Sequence, residues 1–259
     1  MTLKDSLSKT KLDLTKLIII PSSGSGGFDS EFEISPKDFL RYSKEDLNSG
    51  NDRGIINALS NAKRAIDCLI DDILSYYGVD YLNISKSIEP FVNYFEFKDD
   101  IPYKLKIIQS LNLAPGFIIA KYRNLRNKLE HLYKIPNYDE VKEAIDIAEL
   151  FIRSIEGHFG SNLDSFNITD EQNFISDFDF KTGYEFFFHN NPKSIRLIET
   201  FSGKRANEIL FSINDPEYWG FIRLMNSTND EFELTESFRI ISTLINHPIP
   251  TKHIKVELR

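Results

Sequence analysis

The longest regular pattern in this sequence lies between residues 52 and 77. Apolar side chains recur there at spacings of three and four residues, which places them on one face of an α-helix. The stripe consists of Ile55, Leu59, Ala62, Ile66, Leu69, Ile73 and Tyr76. A helix over this range is about 39 Å long, and Gly78 follows as a C-terminal stop. This stripe must be buried, and neighbouring segments carry the same pattern.

Further helices are predicted after this one, including one over residues 116–135. Pro102 opens a short helix, and Pro115 and Pro136 bound the next one. Asn137 then begins another, with Glu140 placed three residues later as in a capping box. Several amphipathic helices with short connections are typical of an antiparallel bundle.

The character of the sequence changes after about residue 160. Residues 161–173 are polar and indicate a linker or a long loop. Strands are predicted from short apolar and aromatic runs, and helices from the spacing of larger side chains. The strands are 184–188, 195–198, 209–211 and an edge strand at 252–258, and the helices begin near 216 and 235.

The predicted fold class is therefore α+β, an N-terminal antiparallel helical bundle followed by a small mixed or β-rich C-terminal domain. The predicted parts are an N-terminal extension (1–34), the bundle (35–160) and the C-terminal domain (161–259). The apolar run 17–20 is too short for a signal peptide, and no run approaches the roughly 20 residues of a membrane span. We expect a cytoplasmic protein without membrane contact.

Charge limits the kinds of partner. The 259-residue chain has a net charge of −8, whereas proteins that coat nucleic acid nonspecifically are usually basic. Contact with nucleic acid therefore requires a local basic patch. The single cysteine, Cys68, excludes an internal disulfide, and we expect it to be packed and inert.

Residues 116–135 form such a patch. Five basic residues stand there against one acid, Glu130, for a net charge of +4. In a helix, the apolar stripe centres between Leu125 and Leu129, and Asn127 and His131 lie one turn apart on the opposite face. The basic residues are Lys121, Arg123, Arg126, Lys128 and Lys134.

The same segment reads Arg126-Asn127-x-x-x-His131-x-Tyr133. This resembles the signature of the HEPN family, and the Arg-x4-His-x-Tyr form resembles HEPN toxins that pair with minimal nucleotidyltransferase antitoxins. The resemblance covers roughly residues 35–158 and does not extend to the C-terminal hundred residues.

The resemblance implies a metal-independent endoribonuclease without a cofactor. His131 would transfer the proton of the RNA 2′-hydroxyl near neutral pH. Arg126 would hold the phosphate and stabilise the extra charge of the transition state. Asn127 would orient the histidine or a phosphate oxygen. Lys121, Arg123 and Lys128 would bind RNA, with Asp67 and Glu130 in supporting positions.

The resemblance also implies partners: RNA, a second copy joined through the motif face, and an antitoxin or other regulatory protein. The protein would act as a toxin or a phage-defence effector. Tyr133 would be a site of regulatory modification, although it is equally consistent with a core position.

Other interpretations stay open at this point. Arg126 could simply pair with Glu130 at i+4. The chain could be a non-catalytic HEPN module that binds RNA, a nucleotide or a partner protein. An acidic scaffold without a nucleic-acid role would leave the basic segment unexplained.

Overall fold

The structure is a computed structural model, and it describes residues 1–24, 27–99, 101–114, 121, 135–161, 163–177, 179–228 and 230–259. The helices in these ranges are α1 (Leu3–Thr10), α2 (Pro36–Asn48), α3 (Asp52–Tyr76), α4 (Glu89–Val92), α5 (Tyr103–Ser110), α6 (Tyr138–Ser161), α7 (Pro216–Met225) and α8 (Glu231–Leu244). The strands are β1 (Leu17–Ser23), β2 (Ser165–Asp170), β3 (Phe174–Ser176), β4 (Asp179–Phe180), β5 (Gly183–Asn190), β6 (Lys193–Phe201), β7 (Lys204–Ser212) and β8 (Val256–Leu258). Across the ranges given above, no helix has the length and apolar character needed to traverse a bilayer.

The chain forms two compact units, and both are discontinuous in sequence. The sheet unit comprises residues 1–26, 84–96 and 161–259, and the helical unit comprises residues 27–83 and 97–160. The chain therefore passes from one unit to the other four times. Residues 1–26, most of the predicted N-terminal extension, supply α1 and β1 of the sheet unit.

The helical unit is organised around α3, which confirms the helix predicted over residues 52–77. The α2 helix packs closely on it, with Ser43 Oγ donating a hydrogen bond to the Ala58 carbonyl at 2.6 Å. This approach needs glycine at position 54, because a Cβ there would lie 2.4 Å from the Asp46 carbonyl oxygen. A side chain at this point would push the two helices apart.

The capping box predicted for α6 is confirmed. The Asn137 side-chain oxygen accepts a hydrogen bond from the Glu140 amide at 2.8 Å. In return, the Asn137 amide donates to a Glu140 carboxylate oxygen at 3.4 Å. These bonds satisfy amide groups that have no partner within the helix, so they fix where α6 begins.

The sheet unit is built on a six-stranded mixed sheet in the order β7-β6-β5-β2-β1-β8. The β1 strand lies inside this sheet, antiparallel to β2 and parallel to β8. Ile19 is aligned with Ile168 on one side and with Leu258 on the other, and it is fully buried. An interior strand covered on both faces has the continuous apolar character of residues 17–20.

The α1 helix packs on one face of the sheet through a buried carboxylate. Glu199 on β6 is fully buried and accepts hydrogen bonds from Ser6 (2.6 Å), Lys9 (2.9 Å) and Asn207 (3.1 Å). Burial raises the pKa of Glu199, but these three donors outweigh burial and hold the pKa below its ordinary value. The carboxylate is therefore compensated within the fold.

Residues 84–96 join the sheet unit although they lie within the predicted bundle. Ser87 Oγ and Trp219 Nε1 both donate to the Ile213 carbonyl, at 3.1 and 3.2 Å. The Arg223 guanidinium lies 5.1 Å from the centre of the Phe95 ring. These contacts bind the segment to α7 and to the end of β7.

The predicted fold class is wrong in its architecture, although both α-helices and strands are present. A six-stranded mixed sheet forms the C-terminal half, and it takes β1 from the N-terminal end of the chain, so it is not a small domain appended to a bundle. The predicted linker at 161–173 contains the interior strand β2. The pattern was missed because Thr169 and Asp170 are polar yet buried, and Thr169 donates a 2.7 Å bond to the Thr182 carbonyl.

Other predictions for this part of the chain are confirmed. The three aromatic and apolar runs are β5, β6 and β7, and the two predicted helices are α7 and α8. The alternating tail contains β8, which lies at the edge of the sheet.

We expect Ile19→Ala to lower the free energy of unfolding by about 2–5 kcal/mol, the usual cost of truncating a fully buried aliphatic side chain. The matched control is Ile175→Ala on β3, where the side chain is 50% exposed, and its effect should stay within about 0.5 kcal/mol. Urea unfolding followed by circular dichroism measures both. An equally small effect at Ile19 would contradict the interior position of β1.

Candidate functional site

Most of the predicted ribonuclease site lies outside the described residues. The elements that bound the motif segment are described: α5 ends at Ser110, and α6 begins at Tyr138. The site residues outside the described ranges are Arg123, Arg126, Asn127, Lys128, Glu130, His131 and Tyr133.

Lys121 is the predicted RNA-binding residue that the structure does describe. It is helical and half-buried, and its ammonium group forms an ion pair with Glu143 on α6. Both side chains keep contact with solvent, and such pairs contribute about 0–1 kcal/mol. The contact joins the first part of the motif segment to α6.

Asp67, the predicted supporting acid, lies on α3 in an acidic group. Its carboxylate pairs with Lys63 one turn earlier, at 3.1 Å. Asp71 follows one turn later and pairs with Lys104 of α5 at 2.6 Å. Both carboxylates therefore have a cationic partner within the helical unit.

Asp72 is the buried carboxylate of this group, and neither it nor Asp71 was predicted from the sequence. Its side chain is 3% exposed. One oxygen accepts a 3.4 Å bond from the Glu31 amide, and the other has no hydrogen-bond partner in the described part of the chain. Burial raises the pKa of Asp72 against the lowering effect of the Ser30 and Glu31 hydrogen bonds. The available signal was its spacing, three residues after Leu69 and four before Tyr76, which continues the apolar stripe.

Cys68, which was expected to be packed, is only partly buried. Its thiol lies 3.5 Å from the Ile34 carbonyl oxygen. Burial, with added repulsion from Asp72, Asp71 and neighbouring carboxylates, raises the pKa of the thiol to about 12. Because the thiolate is the nucleophilic form, Cys68 is poorly suited to nucleophilic catalysis at neutral pH.

Comparison with known proteins identifies no match for the chain. We find no family model, no curated protein and no solved structure that matches the chain. Within the described ranges, no group of three or more His, Cys, Asp and Glu side chains is arranged to hold a metal ion. The sheet unit contains a polar cavity, lined in part by Glu185 and Arg205, that was not predicted from the sequence.

We expect Asp72→Asn to raise the melting temperature at pH 7. The folded-state pKa of Asp72 lies above its ordinary value of 3.8. Its contribution to stability is therefore complete below that value and is lost as pH rises through the folded pKa. The variant's advantage should accordingly disappear under acidic conditions. Thermal unfolding between pH 3 and pH 8 measures the difference.

Asp38→Asn, in the same helical unit, is the control, and we expect it to change the melting temperature in the opposite direction. Hydrogen bonds from the Ser35 side chain and amide lower the pKa of Asp38, so its contribution is present above the ordinary pKa and is lost as pH falls. This variant should melt below the wild type at pH 7. A lower melting temperature for Asp72→Asn at pH 7 would mean that the buried charge is compensated.

We expect the native Cys68 thiol to resist alkylation. A rise in pKa from 9.0 to about 12 lowers the thiolate fraction at pH 8 by about a thousandfold. Iodoacetamide should therefore modify the native protein far more slowly than the protein in guanidinium chloride, as followed by intact mass. The single cysteine makes the denatured sample its own control, and equal rates would refute the raised pKa.

Proposed function

We propose that the protein is a metal-independent endoribonuclease whose reaction is carried by Arg126, Asn127 and His131. The observation that carries the proposal is the Arg-Asn-x-x-x-His-x-Tyr segment, which holds the residue types that metal-free RNA cleavage needs. It lies between α5 and α6 in the sequence, within the helical unit.

The proposed reaction uses the 2′-hydroxyl of the substrate as the nucleophile. His131 accepts the hydroxyl proton while the 2′-oxygen forms a bond to the adjacent phosphorus. The bond from phosphorus to the 5′-oxygen breaks, and the leaving oxygen takes up a proton from histidine or water. The products are a 2′,3′-cyclic phosphate and a 5′-hydroxyl.

Arg126 and Asn127 have complementary parts in this scheme. The Arg126 guanidinium is permanently charged and planar, so it holds the phosphate and stabilises the charge that develops on its oxygens. Asn127 orients His131 or a phosphate oxygen by hydrogen bonding. Their neighbours Arg123 and Lys128 add positive charge for the RNA backbone.

Local charge supports this substrate class. The segment 116–135 carries a net charge of +4 in a chain of −8. RNA would therefore be attracted to the motif segment rather than to the protein as a whole. The Lys121 ion pair with Glu143 leaves part of this charge internally compensated, so contact with RNA should be selective.

The resemblance to HEPN toxins extends the proposal to biological role. The protein would act as a toxin or a phage-defence effector, as a homodimer joined through the motif face. An antitoxin or regulatory protein would control it, and modification of Tyr133 beside His131 would block RNA by bulk and by charge.

The test compares purified wild type with His131→Ala on total RNA in the presence of EDTA. We expect the variant to lose about 10²–10⁴-fold in rate, the usual worth of general acid–base catalysis. His253→Ala is the matched control, because His253 is an exposed histidine in the sheet unit, and it should cleave at the wild-type rate.

The product ends provide a second measurement. Cleavage by wild type should leave 2′,3′-cyclic phosphate ends, which resist alkaline phosphatase. Equal cleavage by wild type and His131→Ala would assign the activity to another site or to a contaminant. If wild type binds RNA without cleaving any of several substrates, the non-catalytic RNA-binding alternative is favoured.

A further inference from the structure

The sheet unit contains a polar cavity on the face of the sheet turned away from α1. Side chains alternate between the two faces of a strand. Tyr184 on β5 points to α1, where its hydroxyl lies 2.7 Å from Ser6 Oγ. The next residue, Glu185, therefore points to the opposite face, where it lines a cavity of about 440 Å³. This volume falls within the range of small-molecule sites in proteins.

The rim of this cavity is held in place by buried hydrogen bonds. Asp170 is 1% exposed, and one of its oxygens accepts from the Gln172 and Asn173 amides at 3.1 and 2.9 Å. Its other oxygen accepts from the Asp13 amide at 2.7 Å. These bonds fix the start of the β3–β4 hairpin, whose residues form one wall.

The opposite part of the rim is tied to the same hairpin. The Gly203 amide donates to the Lys181 carbonyl at 2.7 Å. Gly203 has a φ of +75°, a backbone conformation that glycine adopts without strain. The turn between β6 and β7 is therefore joined to the chain that leaves β4, and the cavity is preorganised rather than formed by loose side chains.

The charge of the lining is negative. Asp177, Asp179 and Glu185 stand against one cation, Arg205. Arg205 is engaged by Glu185 at 2.9 Å, so the surplus of two negative charges lies at the hairpin wall. An anionic ligand, including an RNA phosphate, would be repelled, whereas a cation would be attracted.

The uncharged lining suits an organic cation with an apolar body. Phe180, which is 7% exposed, presents aromatic surface to the cavity, whereas the Phe187 ring is already faced by the Arg196 guanidinium, 5.3 Å from its centre. Aromatic faces attract ammonium and guanidinium groups. Asn167 and Thr200 lie among the lining residues and carry side-chain oxygens that accept hydrogen bonds from such groups.

We propose that this cavity is a binding site for a small organic cation, an aliphatic amine or a guanidine. Asp177 and Asp179 at the hairpin wall are the groups that contact its charge, and the Phe180 ring contacts its carbon chain. The site is independent of the proposed ribonuclease reaction, because it lies in the sheet unit and is tested by binding alone.

The experiment is calorimetric titration of the full-length protein at low ionic strength with putrescine, agmatine and spermidine. Two matched probes accompany them: 1,4-butanediol has the carbon chain of putrescine without its charge, and adenosine monophosphate is an anion. We expect at least one cation to bind with a stoichiometry of one, and neither matched probe to bind. Binding should weaken as salt is added.

Two variants locate the binding. Asp177→Asn and Asp179→Asn should each weaken the affinity for the cation about fivefold or more, the effect of losing one exposed charge contact. Glu208→Gln is the control, because Glu208 is an exposed residue of β7 outside the cavity lining, and its affinity should match the wild type. Melting curves check that each variant folds, and both aspartates are exposed, so neither substitution removes a buried contact.

Three results would overturn the proposal. The first is no binding of any of the three cations up to about 10 mM, where even weak small-molecule contacts are detected. The second is unchanged affinity in Asp179→Asn, or an equal loss in Glu208→Gln, which would indicate general attraction to an acidic protein. The third is tighter binding of adenosine monophosphate than of putrescine. None of these results depends on RNA cleavage.

Discussion

The sheet unit depends on the pairing of β1 with two strands that arrive much later in the chain. The β1 strand is antiparallel to β2 and parallel to β8, and its apolar residues 17–20 are buried. The six-stranded sheet therefore cannot form completely until the C-terminal third of the chain is present. Such long-range pairing must overcome the entropy of closing a large loop before it contributes stability. In the sequence, that loop contains both segments of the helical unit.

Local sequence patterns were sufficient to predict the elements whose signal lies within a few neighbouring residues. Three such patterns can be recognised from a few neighbouring residues: the α3 stripe, the Asn137 cap and the aromatic run at β5. Each of these predictions is confirmed. The β2 strand and residues 84–96 were not predictable in this way. Three of the five buried β2 residues, Ser165, Thr169 and Asp170, are polar and have hydrogen-bond partners far away in the sequence. The elements of residues 84–96 are too short to show a period.

The candidate sites show the same division between local and tertiary information. The motif from Arg126 to Tyr133 is a local signal, and it names residues before any fold is known. The buried carboxylate of Asp72 and the polar cavity beside Glu185 are products of folding. Glu185 is the one acidic residue in the aromatic run of β5. Nothing in the sequence distinguishes it from a glutamate that simply faces solvent.

The two proposed sites attract ligands of opposite charge. A net charge of +4 in residues 116–135 suits a polyanion, whereas the cavity in the sheet unit has a surplus of negative charge. One ligand therefore cannot satisfy both sites, and their occupants do not compete directly. Because the chain crosses between the units four times, any ligand that stabilises the sheet unit also restrains the ends of the two segments that form the helical unit. A ligand at one site can change the other site only if it binds more tightly to one of two conformations that also differ at that other site.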